Sequence, residues 1–156
     1  MTTQQNDLLH IREYLFSHKQ MSAATSGDFP WIFTAYYVVD QDLNLYFLTG
    51  PSTIHGLHLA KNPQIAVAIA DSPQDLAGKK AGLQMSGLCT LLTEDSEVKA
   101  AIDLWRTTLK VDSTDYTLEG IKSGKISGRM YKIVPKKLKF FNEALQEEGK
   151  EKFIEL

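Results

Sequence analysis

Thr49, Ser52, Thr53 and His55 fall within seven residues, TGPSTIH, directly after the apolar run LYFL and directly before GLHLA. Hydroxyls offer neutral hydrogen bonds and a protonated imidazole offers a charge-assisted one. If a strand ends at Thr49, GPS turns and a helix starts near Thr53 or Ile54, these groups converge with the first free amides of the helix. Such a point attracts phosphate. A simpler reading of the same residues has Ser52 or Thr53 merely capping the helix, with His55 in solvent on its first turn.

Other chemistry is sparse. His55 and His58 stand three apart, but no third ligand lies nearby in the sequence, so no metal site is expected. GxSxG, HExxH, Walker and GxGxxG patterns are absent. The single cysteine, Cys89, rules out an internal disulfide framework and, in its setting LCTLL, reads as a small buried hydrophobe. A formal net charge of −2 gives no general attraction to nucleic acid or anionic lipid, so a bound anion must be held by local groups. His10 and His18 read as surface or rim residues of a first helix.

Several elements must position TGPSTIH. Leu8, Ile11 and Leu15 share one face of a helix that Asn6 can cap and that runs to about His18. MSAATSG and WIFTAYYVVD, rich in β-branched and aromatic residues and separated by GDFP, predict a hairpin. LYFLT follows the turn DQDLN as a third strand, and Asn62-Pro63 ends the short helix after it. QIAVAIAD is nearly continuous in apolar residues, which predicts a strand buried on both faces. LQMSGLCTLL is a fifth strand with a bulge or bend at Gly87.

Val98, Ile102, Trp105 and Leu109 form a second helical stripe, with Thr93 as its cap. Residues 110–128 are ambiguous. RMYKIVP and KKLKFF alternate as a last strand or strand pair, and the polar tail 142–156 reads as partly helical. About six strands, with one helix before and one inside the series, predict a single domain over 1–156: a small, mainly antiparallel barrel with peripheral helices. No apolar run is long enough to cross a bilayer and MTTQQND is not a secretory signal, so the expected setting is cytoplasmic, without membrane or nucleic-acid partners.

The order of these elements, with YFLT, the T-x-H pair and L-x-x-N-P, resembles the FMN-binding split-barrel superfamily typified by pyridoxamine 5′-phosphate oxidase. The resemblance covers residues 5 to 141, and the T-x-H variant is most similar to the UPF0306 or YhbP-like subgroup. It implies a six-stranded antiparallel split β-barrel with peripheral α-helices. Thr49 then matches the strand-end threonine, Thr53 the hydroxyl and His55 the basic residue that hold the phosphate of FMN. Leu59, Asn62 and Pro63 match L-x-x-N-P. The implied flavin-binding set is Phe33, Thr34, Ala35, Leu48, Thr49, Thr53, Ile54, His55 and Gln84.

The resemblance has departures. The oxidases carry an arginine and a lysine on the second strand, where this chain has FTAYYV, and a C-terminal Trp and Arg-x-His, where it has KKLKFFNEAL. The fold and flavin site are therefore expected, but pyridoxamine phosphate oxidation is not. The resemblance implies a homodimer with flavin between subunits, acting as a flavin-dependent oxidoreductase of unknown substrate. The alternative is a non-catalytic flavin, heme or small-ligand carrier. Tyr36, Tyr37, Trp31 and Phe47 suit either a flavin wall or a barrel core. With an imidazole in place of Lys or Arg, FMN affinity is expected to fall from about pH 6 to about pH 8.5.

Overall fold

The computed structural model describes residues 1–145 and 151–156. Its strands are β1 (Gln20–Ser26), β2 (Pro30–Val39), β3 (Leu45–Thr49), β4 (Gln64–Ala70), β5 (Ala81–Leu91), β6 (Arg129–Asn142) and β7 (Lys152–Glu155). Four helices accompany them among the described residues: α1 (Thr3–Ser17), α2 (Ile54–Lys61), α3 (Asp95–Leu109) and α4 (Leu118–Lys122). The sheet runs β3-β2-β1-β4-β5-β6-β7, every pairing is antiparallel, and β3 also pairs with β6. That last pairing closes six strands into a barrel and leaves β7 as an added edge strand.

The 14-residue β6 makes the closure possible because its two halves serve different neighbours. Arg129 to Ile133 pair with β3, whereas Lys137 to Phe140 pair with β7. Between them β5 shifts register at Ser86/Gly87, opposite Pro135. A Cβ on Gly87 would lie 2.4 Å from the Val134 carbonyl oxygen, so only glycine lets the strands approach this closely.

Inside the barrel, Tyr37, Phe47, Ile69, Leu83, Ile133 and Phe140 are almost wholly buried. Ile11 and Leu15 of α1 close one end, each with no exposed surface, a burial contributing about 1.5–3 kcal/mol per side chain. Hydrogen bonds fix that plug: Tyr37 Oη donates to the Leu15 carbonyl at 2.7 Å, and Tyr14 Oη to the Ile69 carbonyl at 3.3 Å. Burial pushes the Tyr14 phenol up to about 12 and the Cys89 thiol to about 12. Helices α3 and α4 build a second apolar cluster, with Ile102, Trp105 and Ile121 against Val38 and Met130 on the outside of the barrel.

Several expectations are corrected. β4 alternates strictly between exposed and buried, because Ala66, Ala68 and Ala70 face outward; its apolar run reflects small residues and not two buried faces. α1 begins at Thr3 and is capped by Thr2 in a capping box with Gln5, upstream of Asn6. Glu94, not Thr93, stands at the start of α3 and makes no side-chain cap. The segment 110–128 contains α4, capped by Thr117. RMYKIVP and KKLKFF form one strand, and the tail ends in β7 where helix was expected; residues 146–150 of that tail lie outside the described residues.

Candidate functional site at the junction of strand and helix

β3 ends at Thr49, and the turn that follows is held by Thr53. Its amide donates to the Gly50 carbonyl at 3.2 Å and its hydroxyl to the same oxygen at 2.7 Å. The hydroxyl also accepts from the Gly56 amide at 3.0 Å, so Thr53 is the N-cap of α2. Its one proton is spent within the turn. Gly56 is required here because a Cβ would lie 2.6 Å from the Pro51 carbonyl oxygen and 2.7 Å from that of Gly50. With the Gly56 amide taken by the cap and that of Leu57 by the Thr53 carbonyl, the amides of Ile54 and His55 remain for another acceptor.

The His55 ring turns inward. It is 9% exposed, stacks on Phe33 at 3.8 Å with 10° between planes, and brings Nε2 within 2.6 Å of Thr49 Oγ1. Burial, and then the charge of His58, lower its pKa from the ordinary imidazole value, so the ring is neutral near pH 7. The inward ring departs from the simpler reading, which left His55 in solvent, and its lowered pKa runs against the fall in FMN affinity that the resemblance implied between about pH 6 and about pH 8.5. His55 instead orients the Thr49 hydroxyl.

The remaining residues divide by face. Phe33 and Ala35 pack against the barrel core with His55 beside them, while Leu48 points the other way into the α3 and α4 cluster. Ile54 is exposed. Thr34 and Gln84 are exposed on the outer surface in one row, through the partners Thr34, Ser22, Ala68 and Gln84 on four successive strands. At about 4.8 Å per strand they stand roughly 14 Å apart. Tyr37 and Phe47 belong to the core, whereas Trp31 and Tyr36 are exposed.

One cation was missed in the sequence. Arg129, the first residue of β6, is the direct partner of Thr49 across the β3–β6 ladder, two rungs beyond the buried pair Phe47 and Tyr131 and on the same face. Directly paired positions share a face, so Arg129 and Thr49 stand together at the rim of the barrel. Its Nη1 donates to the carbonyls of Gly128 at 2.9 Å and Ile126 at 3.2 Å. Among the described residues, Nη2 and Nε make no hydrogen bond and no carboxylate lies within ion-pair distance. Burial and Cys89 raise the Tyr131 phenol pKa, and the Arg129 charge works against them. Only the non-local β3–β6 register brings Arg129 here, and nothing in its local sequence signals it.

Two grooves lie on the same side of the molecule. One, of about 530 Å³, crosses the outer face of β1, β4 and β5 and includes Ala24, Gln64, Ser86, Leu88 and Lys136. The other, of about 410 Å³, lies between the tip of the β1–β2 hairpin and α2. They meet at Ser26.

A protein related to general stress protein 26 from Clostridium acetobutylicum, described as of the pyridoxinephosphate oxidase family, has the same arrangement. The two match with a TM-score of 0.69 over 97% of this chain and 96% of that one, at 18% identity. The chain has the pyridoxamine phosphate oxidase-like split-barrel fold. A second split barrel, the heme storage protein HutZ from Vibrio cholerae, matches with a TM-score of 0.65 over 83% of this chain and 91% of that one, at 17% identity. In sequence, a UPF0306 protein of Yersinia enterocolitica is 35% identical over 97 residues, which span 61% of this chain and 65% of that protein. No family model matches this split barrel. No helix among the described residues is long and apolar enough to cross a membrane.

Proposed function

We propose that this split barrel binds FMN, as a homodimer, and serves as a flavin-dependent oxidoreductase other than a pyridoxamine phosphate oxidase. The observation that carries the reading is the Thr49–Arg129 rung beside the start of α2. A hydroxyl, a guanidinium with unused N–H groups and two free amides suit a phosphate, with no described carboxylate to oppose it. FMN supplies the redox chemistry when bound, and the chain's part is to hold and orient it. Thr49, Arg129 and the amides of Ile54 and His55 would take the phosphate, with Thr53 and His55 fixing the turn. Thr34 and Gln84 offer polar contacts on an otherwise uncharged surface for a flat, partly apolar ring system.

The homodimer is supported by that surface. β1, β2, β4 and β5 contain no charged residue, and their outer face exposes Ile32 (67%) and Tyr36 (54%) beside Ala66 and Ala68. A face of this kind needs a cover, and a second copy supplies one of matching character. The visible spectrum of the freshly purified protein, followed by mass identification of what denaturation releases, tests the cofactor. Flavin bands and a released mass of FMN are expected; a colourless protein that takes up no added FMN refutes the assignment. Oxidation of NADH or NADPH with added electron acceptors then tests the enzymatic part.

Heme is a second reading, supported by the groove at α2. Phe29, Ile54 and Leu57 give it apolar walls, and Asp28, His58, Lys61 and Asn62 give it polar groups. Saturable uptake of hemin by the purified chain would favour it.

A further inference from the structure

We infer that the groove of about 530 Å³ across β1, β4 and β5 binds a flat organic monocarboxylate, with Lys136 as the residue that holds its charge. At the register shift β6 carries one residue more than β5. Ser86 pairs with Lys137 and Gly87 with Pro135, which leaves Lys136 as the extra residue. A bulge of this kind bends the strand and re-aims a side chain. Buried Pro135 and Leu138 flank two successive exposed lysines, whereas an unbroken strand alternates its faces. The extra residue is held in place, because the Leu156 amide, just past β7, donates to the Lys136 carbonyl at 2.9 Å.

Charge singles out Lys136. Lys137 stands 3.6 Å from the Glu155 carboxylate and Lys139 3.1 Å from that of Glu151, so both are balanced from the β7 side. Among the described residues Lys136 has no such partner, and of the side chains lining the groove it alone carries a charge. The rest of the lining suits an uncharged body. Ala24, Ala66 and Ser86 are successive partners on three strands, Pro30 and Leu88 add apolar surface, and Ser26, Gln64 and Ser86 offer neutral hydrogen bonds. One cation meets one negative charge, so a polyanion does not match this lining. The site is also separate from the Thr49 rim, since Lys136 lies roughly 20 Å along β6 from Arg129. Lys136 stands outside the four uncharged strands, so the groove opens at the border of the face that a second copy would cover. The row Ala24, Ala66, Ser86 adjoins the row Ser22, Ala68, Gln84. A bound carboxylate is thereby next to the flavin ring of the reading above, although its binding does not depend on that reading.

Amide NMR spectra of the full chain, titrated with naphthoate and with naphthamide as its uncharged match, test the assignment. Saturable shifts at Ser86, Gly87 and Lys136 are expected with naphthoate. Its affinity should exceed that of the amide about fivefold, the scale of one partly exposed ion pair. Lys136→Gln should abolish this preference, and Lys137→Gln, one residue further on, should keep it. No saturable shift at these amides, equal affinity for the two probes, or equal loss in the two variants would overturn the proposal. Each of those results leaves the FMN reading standing, because FMN uptake is measured separately and rests on Thr49 and Arg129.

Discussion

His55 and Arg129 exchange the roles that their residue types suggest. The imidazole is buried, neutral and committed to Thr49, whereas the guanidinium keeps unused donors at the barrel rim. Arg129→Gln should therefore raise the dissociation constant for FMN about tenfold or more, the scale of a lost charge-assisted contact, and leave riboflavin binding unchanged. Equal losses for both ligands would remove Arg129 from the phosphate. His55 also has a consequence for stability. Its folded pKa lies below the ordinary value of about 6.5, so below that pH the unfolded chain binds more protons and stability falls as the solution is acidified. A thermal melt should show a drop from pH 7 towards pH 5 that is smaller in His55→Gln; an equal drop in both would contradict the buried neutral ring.

At the scale of elements, the register shift opposite Ser86/Gly87, where Lys136 of β6 is left unpaired, separates the half of β6 that serves β3 from the half that serves β7. Gly87→Ala places a Cβ against the Val134 carbonyl and should cost about 1–3 kcal/mol, measured by chemical denaturation. An unchanged midpoint would show that the closure does not depend on the close approach. The irregularity at Gly87 was legible because a glycine interrupts an alternating strand, although the extra residue, Lys136, lies on the partner strand; α2 was legible from Thr53 and Asn62-Pro63, where capping and proline chemistry are local. The register of β3 on β6 was not, since it joins residues 80 to 88 apart through contacts that no local pattern records. For the same reason Arg129 escaped notice. Burial of β4 was misjudged because alanine counts as apolar in a run yet is small enough to sit on an open face.

At the scale of the whole molecule, four adjacent strands carry no charge, while the chain as a whole is 23% Asp, Glu, Lys and Arg. That contrast was already present in the sequence, but only the sheet order β2-β1-β4-β5 makes it one continuous surface. Sedimentation should give a dimer, and Ile32→Lys, at the most exposed apolar position of that face, should shift it toward monomer. A dimer insensitive to the change would place the interface elsewhere. The uncharged face and the rim around Thr49 together make the case for a bound, phosphate-bearing flavin. The direct test is titration of FMN and riboflavin, side by side, into the purified chain, with quenching of flavin fluorescence as the signal. FMN should bind at least about tenfold more tightly, because only it carries the group that Thr49 and Arg129 are placed to hold. Equal affinities, or no quenching by either, would contradict the account.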